Sequence, residues 1–155
     1  MTTSHATLGT LLRALLEHLD SAVAQAYNES GLDYKPRYTP VIRALASTGP
    51  CRIKDISEGM GVSHSAVSQT VSALARAKWV KLKAGADNRE RIVHLTPYAK
   101  TKIPLLERHW ANTALAAASL DDDIGFPLED ALRRALRALQ RQSFADRIRN
   151  SARDD

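Results

Sequence analysis

The sequence contains one cysteine, few aromatic residues and no long apolar run. Cys51 has no partner for an internal disulfide, and a lone thiol is typical of a reducing compartment. Aromatic residues make up 5% of the chain, so we expect aliphatic residues and alanine to dominate the core of a mainly helical protein. No apolar run approaches the ~20 residues that span a bilayer, and no basic and apolar leader opens the chain. We therefore expect a cytoplasmic protein with no signal peptide and no membrane partner.

Motifs of catalysis and of metal binding are also missing. The sequence has no G-x-S-x-G, no phosphate-binding loop and no paired carboxylates, so we predict neither an enzyme nor a cofactor. Its histidines include no pair at i and i+4 beside a carboxylate, and there is no Cys-x-x-Cys. We predict no metal site, with ligands assembled across a dimer as the alternative. Cys51 is expected to be an ordinary half-buried cysteine, and a redox-sensing thiol is the alternative.

The positive charge of the chain is concentrated in its middle. The formal net charge is +5, yet residues 36–96 contain ten Lys and Arg against four Asp and Glu, and the remainder is nearly neutral. No acidic residue occurs between His64 and Gly85. A localised basic patch is the electrostatic footprint of a nucleic-acid binder.

Apolar residues spaced by three and four predict helices on both sides of this middle region. A first helix is predicted over residues 6–28, with Leu8, Leu11, Leu12, Leu15, Leu19, Val23 and Ala26 on one stripe. A short helix over 40–47 is expected to have Thr39 as its N-cap. Thr96-Pro97 predicts another cap and a long helix to about Leu120, kinked at Pro104. Asp121–Asp123 and Gly125 are expected to separate it from a last helix over 128–150.

The basic middle region has the pattern of a helix-turn-helix followed by a hairpin. A first helix near Ile53 is expected to end at Gly61, which permits the positive φ of a tight turn, with Val62 packed beneath. Ser63 is a suitable N-cap for a second helix over 63–78. Val67, Val71 and Leu74 form its inward seam. Residues 80–83 and 92–95 are expected to form two strands joined by a loop over 85–91.

The outward face of the second helix is polar and free of acids. Taken at 100° per residue, Ser65, Ser68, Gln69, Ser72 and Arg76 point away from the seam. Gln69 is able to pair with adenine in a major groove, and His64 is placed to reach a phosphate near the helix N-terminus. The predicted DNA-binding residues are His64, Ser65, Ser68, Gln69, Ser72, Arg76, Lys81, Lys83, Asp87, Arg89 and Arg91. A merely solvated helix face is the alternative.

These motifs resemble the MarR family of bacterial transcription regulators. The resemblance rests on ISEGMGVSHSAVSQTVSALARAKWV, on ADNRERIVHLT with its D-x-R-x-R pattern at Asp87, Arg89 and Arg91, and on the helix order. It implies a homodimer that binds palindromic operators, with recognition helices in major grooves and wings at minor grooves. It also implies that Arg89 is the wing-tip arginine and that Asp87 orients arginine side chains. Lys78-Trp79 departs from the family, which usually has a glycine and an apolar residue there.

The predicted architecture is a winged helix-turn-helix with N- and C-terminal dimerisation helices. We predict one MarR-like domain over 1–155, a DNA-binding lobe over 36–97, and a dimerisation region over 6–30 and 98–150. The flanking stripes exceed what one small core covers, which favours a homodimer. A monomer whose flanking helices cap the core is the alternative.

The predicted function is a dimeric, sequence-specific transcription regulator, a repressor relieved by a small effector. Relatives of this type often bind small aromatic or anionic molecules between the dimer helices and the DNA-binding lobe, and candidate lining residues are His18, Tyr34, Arg37, Tyr38 and Trp110. Packing or surface roles explain each of the five equally well. A winged-helix protein-interaction module and an effector-independent architectural DNA binder are the alternatives for the whole chain.

Overall fold

The protein is described by a computed structural model that covers residues 5–152, and this part is mostly helical with one small sheet. Its predicted fold class, helical with a hairpin wing, is confirmed. The prediction of one domain over 1–155 includes residues 1–4 and 153–155, which lie outside the described part. The elements are α1 (Leu8–Glu29), a 3-10 turn (Pro36–Tyr38), α2 (Thr39–Thr48), β1 (Cys51–Arg52), α3 (Ile53–Met60), α4 (His64–Arg76), β2 (Val80–Ala84), β3 (Arg91–Leu95), α5 (Pro97–Ile124), α6 (Leu128–Arg141) and α7 (Phe144–Ser151).

The chain forms two compact units that divide after Trp110. Every buried apolar side chain among residues 5–152 belongs to the first unit. In the second unit, α6 and α7 keep most of their large apolar side chains exposed, including Leu136 and Ile148. The first unit therefore contains the core.

A three-stranded antiparallel sheet lies in the first unit, in the order β1-β3-β2. The two predicted strands of the hairpin are confirmed, and their register pairs Val80 with Leu95 and Leu82 with Val93. β1, which pairs Cys51 with Val93 on the other edge of β3, was not predicted. A strand of two residues shows no periodicity, so no pattern indicates it.

The helical seams of the lobe are confirmed. Val67, Val71 and Leu74 of α4 are buried, and α2 buries Val41, Ile42 and Leu45. Gly61 ends α3 with a φ of 65°, as the tight turn requires. The prediction that Val62 packs beneath the turn is wrong: its side chain is 41% exposed, because the turn directs it to solvent.

Aliphatic residues and alanine make up most of the core, as expected, and the scarce aromatic residues are concentrated in one part of it. Trp79 is fully buried, with its ring centroid 4.9 Å from that of Tyr34. Tyr34 in turn contacts Tyr27 at 4.8 Å and Tyr38 at 5.6 Å, all edge to face. The Trp79 indole N–H donates to the Asp33 carbonyl at 2.9 Å, which ties the start of the hairpin to the connector before α2.

The predicted N-cap of α2 is wrong. Thr39 is already helical, and Tyr38 occupies the cap position without a side-chain cap hydrogen bond. The Thr39 hydroxyl instead accepts a hydrogen bond from the Tyr34 hydroxyl at 3.2 Å. At α5, by contrast, Thr96 is the predicted cap, since its hydroxyl accepts from the Ala99 amide at 3.1 Å.

The C-terminal helix boundaries also differ from the prediction. α5 continues through the three aspartates to Ile124 and ends at Gly125, which has a φ of 78°. Asp121 does not break the helix, because its carboxylate accepts a hydrogen bond from the Leu128 amide at 2.9 Å, at the start of α6. The predicted last helix is two helices, separated where Ser143 caps α7 by accepting from the Asp146 amide at 3.1 Å.

Lys78 connects α4 to β2 with a φ of 62°, the only positive φ of a non-glycine residue among residues 5–152. A side chain in this left-handed region costs about 1 kcal/mol. We expect Lys78→Gly to raise the free energy of unfolding in urea by about 0.5–1 kcal/mol. Lys78→Ala is the matched control, because it removes the lysine and retains a Cβ. Equal stability of the glycine and alanine variants would contradict the explanation.

Candidate nucleic-acid interface

α4 begins at a well-defined N-terminus. Ser63 is extended, and its hydroxyl accepts a hydrogen bond from the Ala66 amide at 3.2 Å, as the sequence predicts. The preceding turn carries Gly61 in the left-handed conformation. The cap and the turn together set the direction in which the first turn of α4 leaves the core.

The predicted DNA-binding residues of α4 share one face. Burial of Val67, Val71 and Leu74 fixes the rotation of the helix. The opposite face presents His64, Ser65, Gln69, Ser72 and Arg76, all exposed, together with the half-buried Ser68. This face is polar and carries no carboxylate, so it suits hydrogen bonding to base edges and phosphates.

The hairpin next to α4 adds cationic side chains. Lys81 and Lys83 are exposed on β2, and Lys81 is paired across the ladder with His94 of β3. Burial, followed by the charges of Lys83, Lys81 and Lys100, lowers the pKa of His94 below its ordinary value. The lowered pKa favours the neutral form of His94, so the positive charge of this part of the hairpin comes from its lysines.

The wing loop between β2 and β3 is closed by three hydrogen bonds. The Gly85 amide donates to the Glu90 carbonyl at 2.9 Å, and the Glu90 amide donates to the Asp87 carbonyl at 2.8 Å. The Asp87 carboxylate accepts from the Arg89 backbone amide at 3.1 Å. Arg89 and Arg91 are both exposed. The Asp87 carboxylate thus contacts the backbone of Arg89. Asp87 takes part in none of the ion pairs among residues 5–152.

Arg52 is a residue of this region that the sequence analysis missed. Its guanidinium donates twice to the Asp55 carboxylate, at 2.9 Å each, and once to the Glu90 carboxylate at 3.0 Å. The hydrogen bonds from Arg52 lower the pKa of Asp55 below its ordinary value. The i, i+3 spacing of Arg52 and Asp55 could have indicated their ion pair from the sequence. Nothing in the sequence indicates the contact with Glu90, because that residue is distant along the chain.

The five candidate effector residues occupy different environments. Tyr34 and Tyr38 are buried in the aromatic cluster, and burial raises the pKa of the Tyr34 hydroxyl far above its ordinary value, so it stays a hydrogen-bond donor. Arg37 is exposed, with its guanidinium 5.6 Å from the centroid of the Tyr38 ring. His18 is exposed on α1.

Trp110 is the candidate with an unsatisfied polar atom. It is half-buried against the core, and its indole N–H has no hydrogen-bond partner. The Arg43 guanidinium lies 5.1 Å from the centroid of its ring.

A cavity of about 390 Å³ lies elsewhere in the first unit. Its lining is formed by Leu45, Ala46, Gly49, Pro50, His94, Leu95, Lys100 and Ile103. None of the five candidate effector residues is part of this lining.

Residues 5–152 contain no group of three or more His, Cys, Asp or Glu side chains that could hold a metal ion. No helix of these residues has the length and apolar character needed to cross a membrane.

Burial raises the pKa of the Cys51 thiol, which disfavours its reactive thiolate form.

Comparison with protein families adds the deciding observation to this geometry. The sequence model described as the MarR family matches residues 32–90, which include α2, α3, α4, β2 and nearly all of the wing loop. The resemblance of the chain to the MarR family is thereby confirmed over these residues. MarR family proteins are transcription regulators and not enzymes, in agreement with the absence of catalytic motifs from the sequence. No curated protein matches the chain significantly in sequence.

Solved structures of MarR-type regulators share the fold. The transcriptional regulator MosR of M. tuberculosis, in complex with DNA, aligns at a TM-score of 0.67 and 18% identity, over 90% of this chain and 97% of that one. A MarR family regulator from Neisseria meningitidis aligns at 0.57 and 23%, over 86% and 92%. BpsR of Bordetella bronchiseptica, whose DNA binding is regulated by 6-hydroxynicotinic acid, aligns at 0.53 and 20%, over 81% and 96%. At these identities the likeness is one of fold.

Proposed function

We propose that this protein is a MarR-type transcription regulator, a homodimer that binds a palindromic operator in duplex DNA and represses transcription until a small molecule releases it. The observation that carries the proposal is the polar face of α4, which has no acidic residue and lies beside a cationic hairpin. Because it acts on DNA, we place it in the cytoplasm.

The exposed face of α4 is proposed to enter the major groove. Gln69 offers both a donor and an acceptor, which match the N7 and N6 edge of adenine. Ser65, Ser68 and Ser72 are short donors and acceptors that allow the helix to approach the bases closely. His64 and Arg76, at the two ends of the face, are proposed to contact phosphates.

The wing is proposed to contribute affinity. Arg89 is proposed to reach the adjacent minor groove, where a narrow groove attracts arginine. Lys81, Lys83 and Arg91 are proposed to neutralise phosphates, and Asp87 to keep the loop in shape through the Arg89 amide. MosR, a relative of similar fold, has been crystallised in complex with DNA, which supports this mode of action.

Dimer formation is proposed because large apolar side chains are exposed on helices of both units. Leu8, Leu11, Leu12, Leu16 and Leu19 are exposed on α1, Leu132, Leu136 and Leu139 on α6, and Phe144 and Ile148 on α7. Large apolar side chains exposed together on one helix mark an interface. We therefore retain 36–97 as the DNA-binding lobe of one MarR-like domain and 6–30 with 98–150 as its dimerisation region.

Release by an effector is proposed from the likeness to BpsR. Among the five candidate residues, Arg37 offers an exposed cation and Trp110 an unsatisfied N–H donor, which are the groups that a small aromatic acid requires. An effector that binds more tightly to dimers with an altered spacing of the two lobes shifts the population towards that spacing. The recognition helices then no longer match successive major grooves.

In vitro selection from a random duplex pool tests the proposal. The wild-type dimer is expected to select a palindrome, and Gln69→Ala is expected to lose about 1–3 kcal/mol of discrimination at one base position of each half-site. Gln25→Ala, on the exposed surface of α1, is the matched control and should select the same palindrome. Selection of no duplex would favour a protein-interaction module, and binding without sequence preference would favour an architectural role.

A further inference from the structure

Arg52 links two parts of the lobe through one guanidinium. Asp55, which is 42% exposed, belongs to the first turn of α3, and Glu90, which is 41% exposed, closes the wing loop. All three donor nitrogens of Arg52 are used, with contacts of 2.9, 2.9 and 3.0 Å. Arg52 occupies the N-cap position of α3 and makes no cap hydrogen bond with its side chain. Its side chain is thus committed to the two carboxylates.

Glu90 is the residue through which this link reaches the wing tip. Its carbonyl accepts from the Gly85 amide and its amide donates to the Asp87 carbonyl, so its backbone closes the loop from both sides. Asp87 then holds the Arg89 amide at 3.1 Å. A continuous series of hydrogen bonds therefore runs from α3 through Arg52, Glu90 and Asp87 to the backbone of Arg89.

The loop has little else to fix it. The residues between Gly85 and Glu90 are all exposed, and the hairpin ladder ends at the pair of Ala84 with Arg91. Arg52 itself is paired with Ile92 in the adjacent strand, so its anchor is part of the sheet. The position of the loop relative to α4 therefore depends on its base, where Arg52 binds.

We propose that Arg52 is a positioning residue for DNA binding, which fixes the wing and its Arg89 relative to α4 by clamping Glu90 to Asp55. The inference rests on the proposed function, since it assigns Arg89 to DNA. Arg52 and Glu90 need not touch DNA in this role. The clamp makes the wing rigid before DNA arrives, so less conformational entropy is lost on binding.

The competing explanation is an inconsequential surface ion pair, which is common for exposed charges. The two explanations predict opposite changes in DNA affinity when the Glu90 carboxylate is removed. Removal of a carboxylate near a polyanion favours DNA binding by simple electrostatics. Removal of the clamp weakens it.

The variants Arg52→Ala, Glu90→Ala and the double variant separate the two effects, because the double variant keeps the net charge of the wild type. Lys54→Ala with Glu58→Ala is the matched control, since it removes an ion pair of 3.9 Å on the exposed surface of α3 without a net charge change. Thermal unfolding of each variant confirms that the fold is retained. The probe is a duplex selected by the wild-type protein from a random pool.

We expect the Arg52→Ala/Glu90→Ala variant to bind this duplex about threefold to fivefold more weakly than the wild type, the upper range for an exposed ion-pair network. Glu90→Ala alone should also bind more weakly, and the control should be unchanged. In the free protein, ¹⁵N relaxation should show greater mobility of the amides from Ala86 to Arg89 in the clamp variants and not in the control.

Tighter or unchanged binding by Glu90→Ala, or unchanged relaxation of the wing amides, overturns the positioning role. If the wild type selects no duplex at all, the proposed DNA function fails. The relaxation measurement then still decides whether Arg52 fixes the wing, because it needs no DNA.

Discussion

Trp79→Ala is expected to lower the free energy of unfolding by about 3–5 kcal/mol, the range for truncation of a large buried aromatic residue. The Trp79 side chain is fully buried, and its ring packs edge to face against Tyr34 at 4.9 Å. Its truncation leaves a cavity in the aromatic cluster and leaves the Asp33 carbonyl without its 2.9 Å hydrogen bond. Urea denaturation at a fixed protein concentration measures the change, since dimer formation makes apparent stability concentration-dependent.

Two variants separate packing from hydrogen bonding at this position. Trp79→Phe keeps an aromatic ring and loses the N–H donor, so we expect a smaller loss of stability than for alanine. Tyr98→Ala is the control from the edge of the cluster, because its ring contacts Trp79 at 5.3 Å yet is 43% exposed. A loss below about 1 kcal/mol for Trp79→Ala, close to that of an ordinary surface substitution, would contradict the role assigned to the cluster.

Arg89→Ala is expected to weaken binding to the selected duplex by about ten- to a hundredfold, or roughly 1–3 kcal/mol. The exposed side chain packs against nothing in the core, so stability should be unchanged while affinity falls. The loss should be similar for good and poor operators, since the wing is proposed to add affinity more than sequence preference. A mobility-shift or fluorescence-anisotropy titration gives the dissociation constants.

Arg108→Ala is the matched control for Arg89→Ala. It removes the same charge from an exposed position on α5, outside the proposed DNA-binding lobe. Unchanged binding of the Arg89 variant would show that Arg89 contributes no affinity. An equal loss in both variants would show that the effect is one of net charge and that the wing has no specific contact.

The lobe was predictable from sequence because its signals are local. The seam of Val67, Val71 and Leu74 repeats with the helical period, and Ser63 is both a favourable cap and the observed one. The alternation from Val80 to Lys83 likewise gives the first strand of the hairpin. At the seam of α4 and at Ser63 the local preference and the tertiary packing agree, whereas Leu82 of the hairpin is exposed in spite of the alternation.

The errors arose where a tertiary contact determined the local structure. Thr39 resembles an N-cap residue in the sequence, yet its hydroxyl accepts a hydrogen bond from the buried Tyr34. Asp121 belongs to a run that resembles a helix end, yet its carboxylate caps the next helix. Ser143, with Asp146 three residues later, carried a local cap signal that the apolar periodicity obscured.

The candidate site was predictable only in part for the same reason. The spacing of Ser65, Gln69 and Ser72 places them on one face whatever the tertiary structure. The link from Arg52 to Glu90 joins β1, a strand without a sequence pattern, to the wing loop, and only the folded sheet brings the two residues to 3.0 Å.

The central claim is that α4 and the wing form a surface for duplex DNA, and its most direct test is the salt dependence of wild-type binding to the selected palindrome. With roughly six phosphates neutralised per dimer, the affinity should fall about a thousandfold between 50 and 200 mM salt. A scrambled duplex of equal length should bind far more weakly at every salt concentration. Affinity that does not change with salt, or equal affinity for the palindrome and the scrambled duplex, would contradict the claim.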